Sequence, residues 1–142
     1  MEKTEKINRT VTTSVCQISV EKNDVVFVKM NENAIIDIEE VDEMHQSLNE
    51  LVDHRPYYMV VIPAIGNTSS SEARKYAARL KNKKLMAEAI VVDNLAQRIM
   101  ANFYVKVNRP NQKVKVFSSV PAGLAWIDSV RIKSLGQVRS EQ

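Results

Sequence analysis

The residues best placed for chemistry form one run, Asn67-Thr68-Ser69-Ser70-Ser71, followed by Glu72 and Arg74. Short hydroxylated residues that lead from an apolar stretch into a helix-forming one set side-chain oxygens beside free backbone N–H groups. Such a junction caps a helix, and it also suits an anion or a phosphoryl group. A phosphate on Ser70 would add about −1.5 to −2 charge there and would switch the docking of a partner. Glu72 already supplies negative charge in the same turn, which opposes a second anion. Ser69 and Glu72 have the spacing of a capping box. The candidate residues for binding or a phospho-switch are therefore Asn67, Thr68, Ser69, Ser70, Ser71 and Arg74.

Other chemistries lack their partners. A serine nucleophile needs a base within hydrogen-bond reach and an oxyanion hole. The two histidines, His45 and His54, fall on or just after one helix and face opposing sides of it, and there is no G-x-S-x-G elbow. Asp42, Glu43 and His45 share a helix surface but no His-Glu-x-x-His or Cys/His pattern, so they read as a solvated acidic face and no metal is expected. With Gly66, Gly123 and Gly136 the only glycines, neither a P-loop nor a dinucleotide fingerprint can form, and no cofactor is expected. The single cysteine, Cys16, falls in a strand pattern and reads as a small core or edge residue; one cysteine excludes an internal disulfide and suits a reducing cytosol. Lys81, Lys83 and Lys84 cluster at the end of a helix, and Arg98, Lys106, Arg109, Lys113 and Lys115 form a second basic group. Positive charge at a helix C-terminus is favourable in itself, and 6% aromatic residues leave no stacking set, so nucleic acid is not an expected partner. No constellation supports catalysis, and the expectation is a non-enzymatic protein.

The elements that must position the serine run follow from hydrophobic period. A chain of 142 residues with 44% hydrophobic and 26% charged residues is about one domain, and its net charge of +3 is mild. Residues 1–10 are polar and read as a flexible start with no apolar stretch of signal-peptide length, which predicts a cytoplasmic protein. No apolar run approaches the roughly 20 residues that span a bilayer. Val15 to Val20 and Val25 to Met30, separated by Lys22-Asn23-Asp24, predict a hairpin. Asp37 and Glu40 have capping-box spacing ahead of a helix whose stripe is Ile38, Val41, Met44, Leu48, Leu51 and Val52. Tyr58 to Ile62 and Ala87 to Val92 are continuous apolar strands, the second interrupted only by Glu88, as expected for strands covered on both faces. A second helix puts Ala73, Tyr76, Ala77 and Leu80 on one side. A third, Asn94 to Val107, turns Leu95, Ala96, Ile99, Met100 and Phe103 inward. A short strand, Val114 to Phe117, precedes a last helix capped by Ser118 or Ser119, with Pro121 in its first turn and Leu124, Ala125 and Ile127 toward the core.

The order is ββαβαβαβα: an α/β fold with a mostly parallel five-stranded sheet, an N-terminal β-hairpin and about four helices. One domain spans 11–132, and the polar residues 133–142 read as a flexible C-terminus. Tyr57, Tyr104 and Trp126 would supply a sticky patch for a homodimer if exposed.

Three stretches, CQISVEKNDVVFVKMNENAIIDIEEVDEM, SSSEARKYAARL and KVKVFSSVPAGLAWI, resemble the STAS fold of anti-sigma factor antagonists and, more closely, small bacterial STAS/CRAL-TRIO-like proteins. The resemblance covers about residues 14–130. It implies a regulatory or protein-interaction module rather than an enzyme, with an unknown protein partner. In the antagonists a serine at the start of the second helix is phosphorylated, and Ser69-Ser70-Ser71 stands in that place; the Asp-Ser-Ser-Gly pattern of the antagonists is absent here. The CRAL-TRIO side implies the alternative, binding of a small apolar or anionic ligand in a cavity bounded by the second and third helices.

Overall fold

The computed structural model describes residues 9–53 and 55–141, with side chains through Gly136. The expectations for residues 1–8 and for His54 lie outside the described residues. The strands are β1 (Thr10–Thr12), β2 (Cys16–Val20), β3 (Val25–Met30), β4 (Ile35–Ile36), β5 (Tyr57–Ile62), β6 (Thr68–Ser69), β7 (Leu85–Val91) and β8 (Val114–Phe117). The helices are α1 (Ile38–Val52), α2 (Ser71–Arg79), α3 (Leu95–Phe103) and α4 (Val120–Glu141), with a π-helical turn, Tyr104–Asn108, continuing α3.

The main sheet runs β1-β2-β3-β5-β7-β8. It is therefore six-stranded and mixed, not five-stranded and mostly parallel. β2 and β3 form the expected hairpin, with Ile18 opposite Val28, and β3, β5, β7 and β8 are parallel neighbours. The additional strand β1 pairs antiparallel with β2. Its three residues are too few to show a period. Between β2 and β3, Asn23 and Asp24 take φ of 63° and 60°, a conformation that asparagine and aspartate tolerate. In a separate parallel pair, β4 lies against β6, which ties the approach to α1 to the approach to α2. Gly66 (φ +80) permits the turn into β6: a Cβ there would stand 2.0 Å from Asn33 Oδ1.

Alternation along the strands gives the sheet two faces. On one, Val25, Tyr58, Val60, Ala87, Ala89 and Val91 pack with Ile127 and Val130 of α4. Helix and sheet come close here because small residues meet: a Cβ on buried Gly123 would stand 3.2 Å from the Ala89 Cβ. Ser119 caps this helix, its hydroxyl accepting from Ala122 N–H at 3.2 Å, while Ala125, expected inward, is exposed. Arg131 stacks on Tyr58 at 4.6 Å and donates to the Asn23 carbonyl, which ties α4 to the hairpin turn. The helix runs past Ile132 to Glu141, where composition predicts a loose tail.

On the other face, Val28, Met30, Tyr57 and Met59 pack with Leu48, Leu51 and Val52 of α1. Asp37 and Glu40 form the predicted capping box, with Asp37 N–H donating to Glu40 Oε1 at 2.7 Å. Helix α3 departs from its expectation. Leu95, Ala96, Ile99, Met100 and Phe103 are all exposed, Leu95 at 72%, and Ala101 is its buried residue. An apolar stripe shows that a helix has a greasy side but not that another element lies opposite it. The aromatic patch is corrected as well: Tyr57 is 1% exposed and fully in the core, and Tyr104 and Trp126 are half-buried.

Candidate functional site

The three helices α1, α2 and α3 do not fill the space above their face of the sheet. A cleft of about 620 Å³ remains, open at its rim. Its floor is Val28, Met59, Val61, Glu88 and Ile90; its walls include Val41, Met44 and Leu48 of α1, Ala73 and Ala77 of α2, and Met100 and Ala101 of α3. The lining is mainly apolar because each strand sends alternate residues to this face and each helix turns apolar residues toward it. Helix α2 carries alanines at 73, 77 and 78, which have no reach to close the gap. Helix α3 rests on the edge strand β8.

The serine run forms part of the rim. Asn67, Thr68, Ser69 and Arg74 line the cleft; Ser70 and Ser71 do not. Ser70, not Ser69, caps α2: its hydroxyl accepts from Ala73 N–H at 3.0 Å and donates to Asp37 Oδ1 at 2.8 Å. Ser69 instead lies in β6, as the β4 pairing with Ile36 requires. The Ser70 contact, with the Ile38 N–H, holds the Asp37 carboxyl below the usual range. A phosphate on Ser70 would replace this donor with an anion against a carboxylate. Ser71 is exposed at the first helical position. Asn67 holds the loop, accepting from Ala64 N–H at 2.8 Å and donating to the Asn31 carbonyl at 2.7 Å. Arg74 donates to the Ser69 carbonyl at 2.7 Å and to Ser69 Oγ at 3.2 Å, and its guanidinium stacks on Phe103 at 5.6 Å. That stack bridges α2 and α3 across the mouth.

Polar groups converge at the cleft floor, and the serine-centred reading missed them. Burial pushes the Glu88 carboxyl up to about 7. It makes no hydrogen bond or ion pair with the described residues. Tyr57 is pushed up to about 12 by burial, against the opposing effect of Asn82, whose amide donates to the phenol oxygen at 2.8 Å, and with a further push from Glu88. Tyr104 is raised strongly by burial and then by Glu88. The Glu88 N–H donates to the Lys113 carbonyl at 2.8 Å, which places Gln112 alongside, and the buried Gln112 Oε1 has no partner among the described residues. One signal was present in the sequence: Glu88 is the lone acid in a strand otherwise apolar on both faces.

Of the acidic helix face, Asp42 accepts from the Tyr76 hydroxyl, and Glu43 accepts from Ser14 N–H at 3.0 Å and from its hydroxyl. Cys16 is wholly buried beside Thr13, and burial pushes its thiol up. No helix among the described residues is long and apolar enough to cross a membrane.

A family model described as a domain of unknown function (DUF7793) matches residues 18–131, and the chain belongs to that family. No curated protein matches the sequence. Among solved structures, an uncharacterised protein of the DUF3478 family with a SpoIIAA-like fold, from Shewanella loihica PV-4, is similar with a TM-score of 0.54 at 14% identity, over 84% of this chain and 94% of that one. The likeness shows a SpoIIAA-like, and so STAS-like, fold.

Proposed function

We propose that this DUF7793 member is a non-enzymatic, cytoplasmic binding module that takes a small apolar ligand into the cleft between α1, α2, α3 and the sheet. One observation carries the reading: the chain leaves about 620 Å³ of mainly apolar space unfilled between three helices and the sheet. Ligand sites commonly run from about 300 to about 1,000 Å³. At about 30 Å³ per water-sized group, the space suits on the order of 20 non-hydrogen atoms, enough for a single-chain molecule but not for a two-chain lipid. The bridge from Arg74 to Phe103 and the Asn67 loop would form the rim through which such a ligand passes.

Native mass spectrometry of the purified protein tests this, together with titration of a neutral fluorescent apolar dye. The expected outcome is dye binding at one site that is lost in Val61→Phe, which fills the floor, with helicity retained. Dye binding unchanged by that substitution removes the cleft as the site.

A second reading, docking of a protein at the serine rim, is favoured by the exposed apolar residues Ile65, Leu95 and Ile99 (68%, 72% and 58%). Its simplest form is a homodimer. Light scattering decides that form: a dimer that Leu95→Glu with Ile99→Glu reduces to a monomer supports it, and a monomeric parent protein removes it.

A further inference from the structure

The cleft floor carries a carboxyl group that its surroundings do not compensate. Glu88 sits in β7 between Met59 of β5 and Val114 of β8, on the face that looks into the cleft. The titratable or charged groups lining the same space are Tyr57 from β5, Tyr104 from the π-helical turn, Arg74 from α2 and His45 from α1. Tyr57 is already held by Asn82. Arg74 uses its Nη1 on Ser69 and stacks on Phe103 at the rim, while its buried Nε has no partner among the described residues. The second unsatisfied atom at the floor, Gln112 Oε1, is also an acceptor. The Tyr104 hydroxyl and the Gln112 amide are neutral donors in this lining; what Glu88 lacks among the described residues is a positively charged donor paired with it.

We propose that Glu88, with Gln112 beside it, anchors the head group of a single-chain amphiphile bearing a protonated primary amine, and selects it over the alcohol and the carboxylate of the same chain length. This inference rests on the cleft being a ligand site and adds the chemical class of what enters it. An ammonium group has three donors and no acceptor, which matches a carboxyl and an amide oxygen that have no partner among the described residues. Carrying an ammonium out of water is costly and is recovered only against an opposite charge with its hydrogen bonds made. A carboxylate head group would meet Glu88 as a like charge. An alcohol would give an ionised Glu88 one hydrogen bond but no opposite charge, and so would leave the buried carboxylate uncompensated. Because burial holds Glu88 near neutrality up to about 7, the empty cleft does not carry the full cost of a buried anion, and the incoming ammonium draws the proton off.

Calorimetric titration with decylamine, decanol and decanoate at about pH 8 separates the possibilities, the expected order being decylamine tighter than decanol by about tenfold or more, with decanoate weakest. Glu88→Gln keeps the shape and the neutral hydrogen bonds; it is expected to retain decanol binding and bring decylamine within about threefold of it. Should that variant not fold, the unaltered protein still decides. Its preference for amine over alcohol should grow between about pH 6 and about pH 8 as Glu88 ionises, because both ligands keep their charge across that range. Decanol binding with no amine preference, a preference that persists in Glu88→Gln, or one flat with pH overturns the role of Glu88 while leaving the cleft as a binding site. Tightest binding of decanoate overturns it too, and points to Arg74. Failure of all three to bind overturns the cleft reading itself.

Discussion

The two faces of the central sheet are built from the same strands and end differently. On the α4 face, Ala87 and Ala89 are fully buried and Gly123 lets the helix come within van der Waals contact of Ala89. One helix is enough to seal that face. On the other, three helices share the work and still leave a cleft, because α2 presents alanines and α3 sits over β8 at the edge. Both faces look equally apolar along the chain. Whether a covered face becomes solid core or a site depends on how near the covering helix can approach, which small residues at the seam decide.

Substitutions can break this contrast, beginning with the largest effect. Ile127→Ala, at a position 0% exposed on the sealed face, should cost about 2–5 kcal/mol in urea unfolding. A cost below about 1 kcal/mol would mean that α4 does not pack as tightly as described. On the cleft face, Glu88 should give a pH signature. Its folded pKa of about 7 is raised from 4.5, so between those values the folded chain holds a proton that the unfolded chain has released. Stability should therefore fall as pH rises through that window, by on the order of 3 kcal/mol, and level off above it. Glu88→Gln should lack that slope and be the more stable protein above about pH 7, as read from paired unfolding series.

A smaller contrast comes from adding volume to each face. Gly123→Val should cost roughly 1–3 kcal/mol by overpacking against Ala89, Val91 and Phe117. Val61→Phe grows into open space and should cost less than about 1 kcal/mol; equal costs would deny that the faces differ. The smallest effect is expected at the rim. Ser70→Ala removes the cap of α2 and its link to Asp37, for a loss of about 1 kcal/mol by thermal melting.

Much of the scaffold was legible from pattern. The strands of β5 and β7 announced themselves as continuous apolar runs, and Asp37 with Glu40 marked the start of α1. The β1 strand was not legible, since three residues carry no period. The orientation of α3 was not legible either, because its stripe is real but nothing lies over most of it. Of the residues that local chemistry singled out, Asn67, Thr68, Ser69 and Arg74 line the cleft, and Ser70 and Ser71 do not. Gln112 and Tyr104 gave no such signal. They reach the floor only because β7 and β8 pair across a crossover, a fact that no short window of sequence contains.

The seam of Ala89, Val91 and Gly123 has a practical consequence. It fixes the approach of α4 on one side of the molecule, and the residues that line the cleft on the other side take no part in it. A redesign of the cleft would keep those three residues and exchange Met44, Val61 and Met100, with the scaffold as an unaltered chassis.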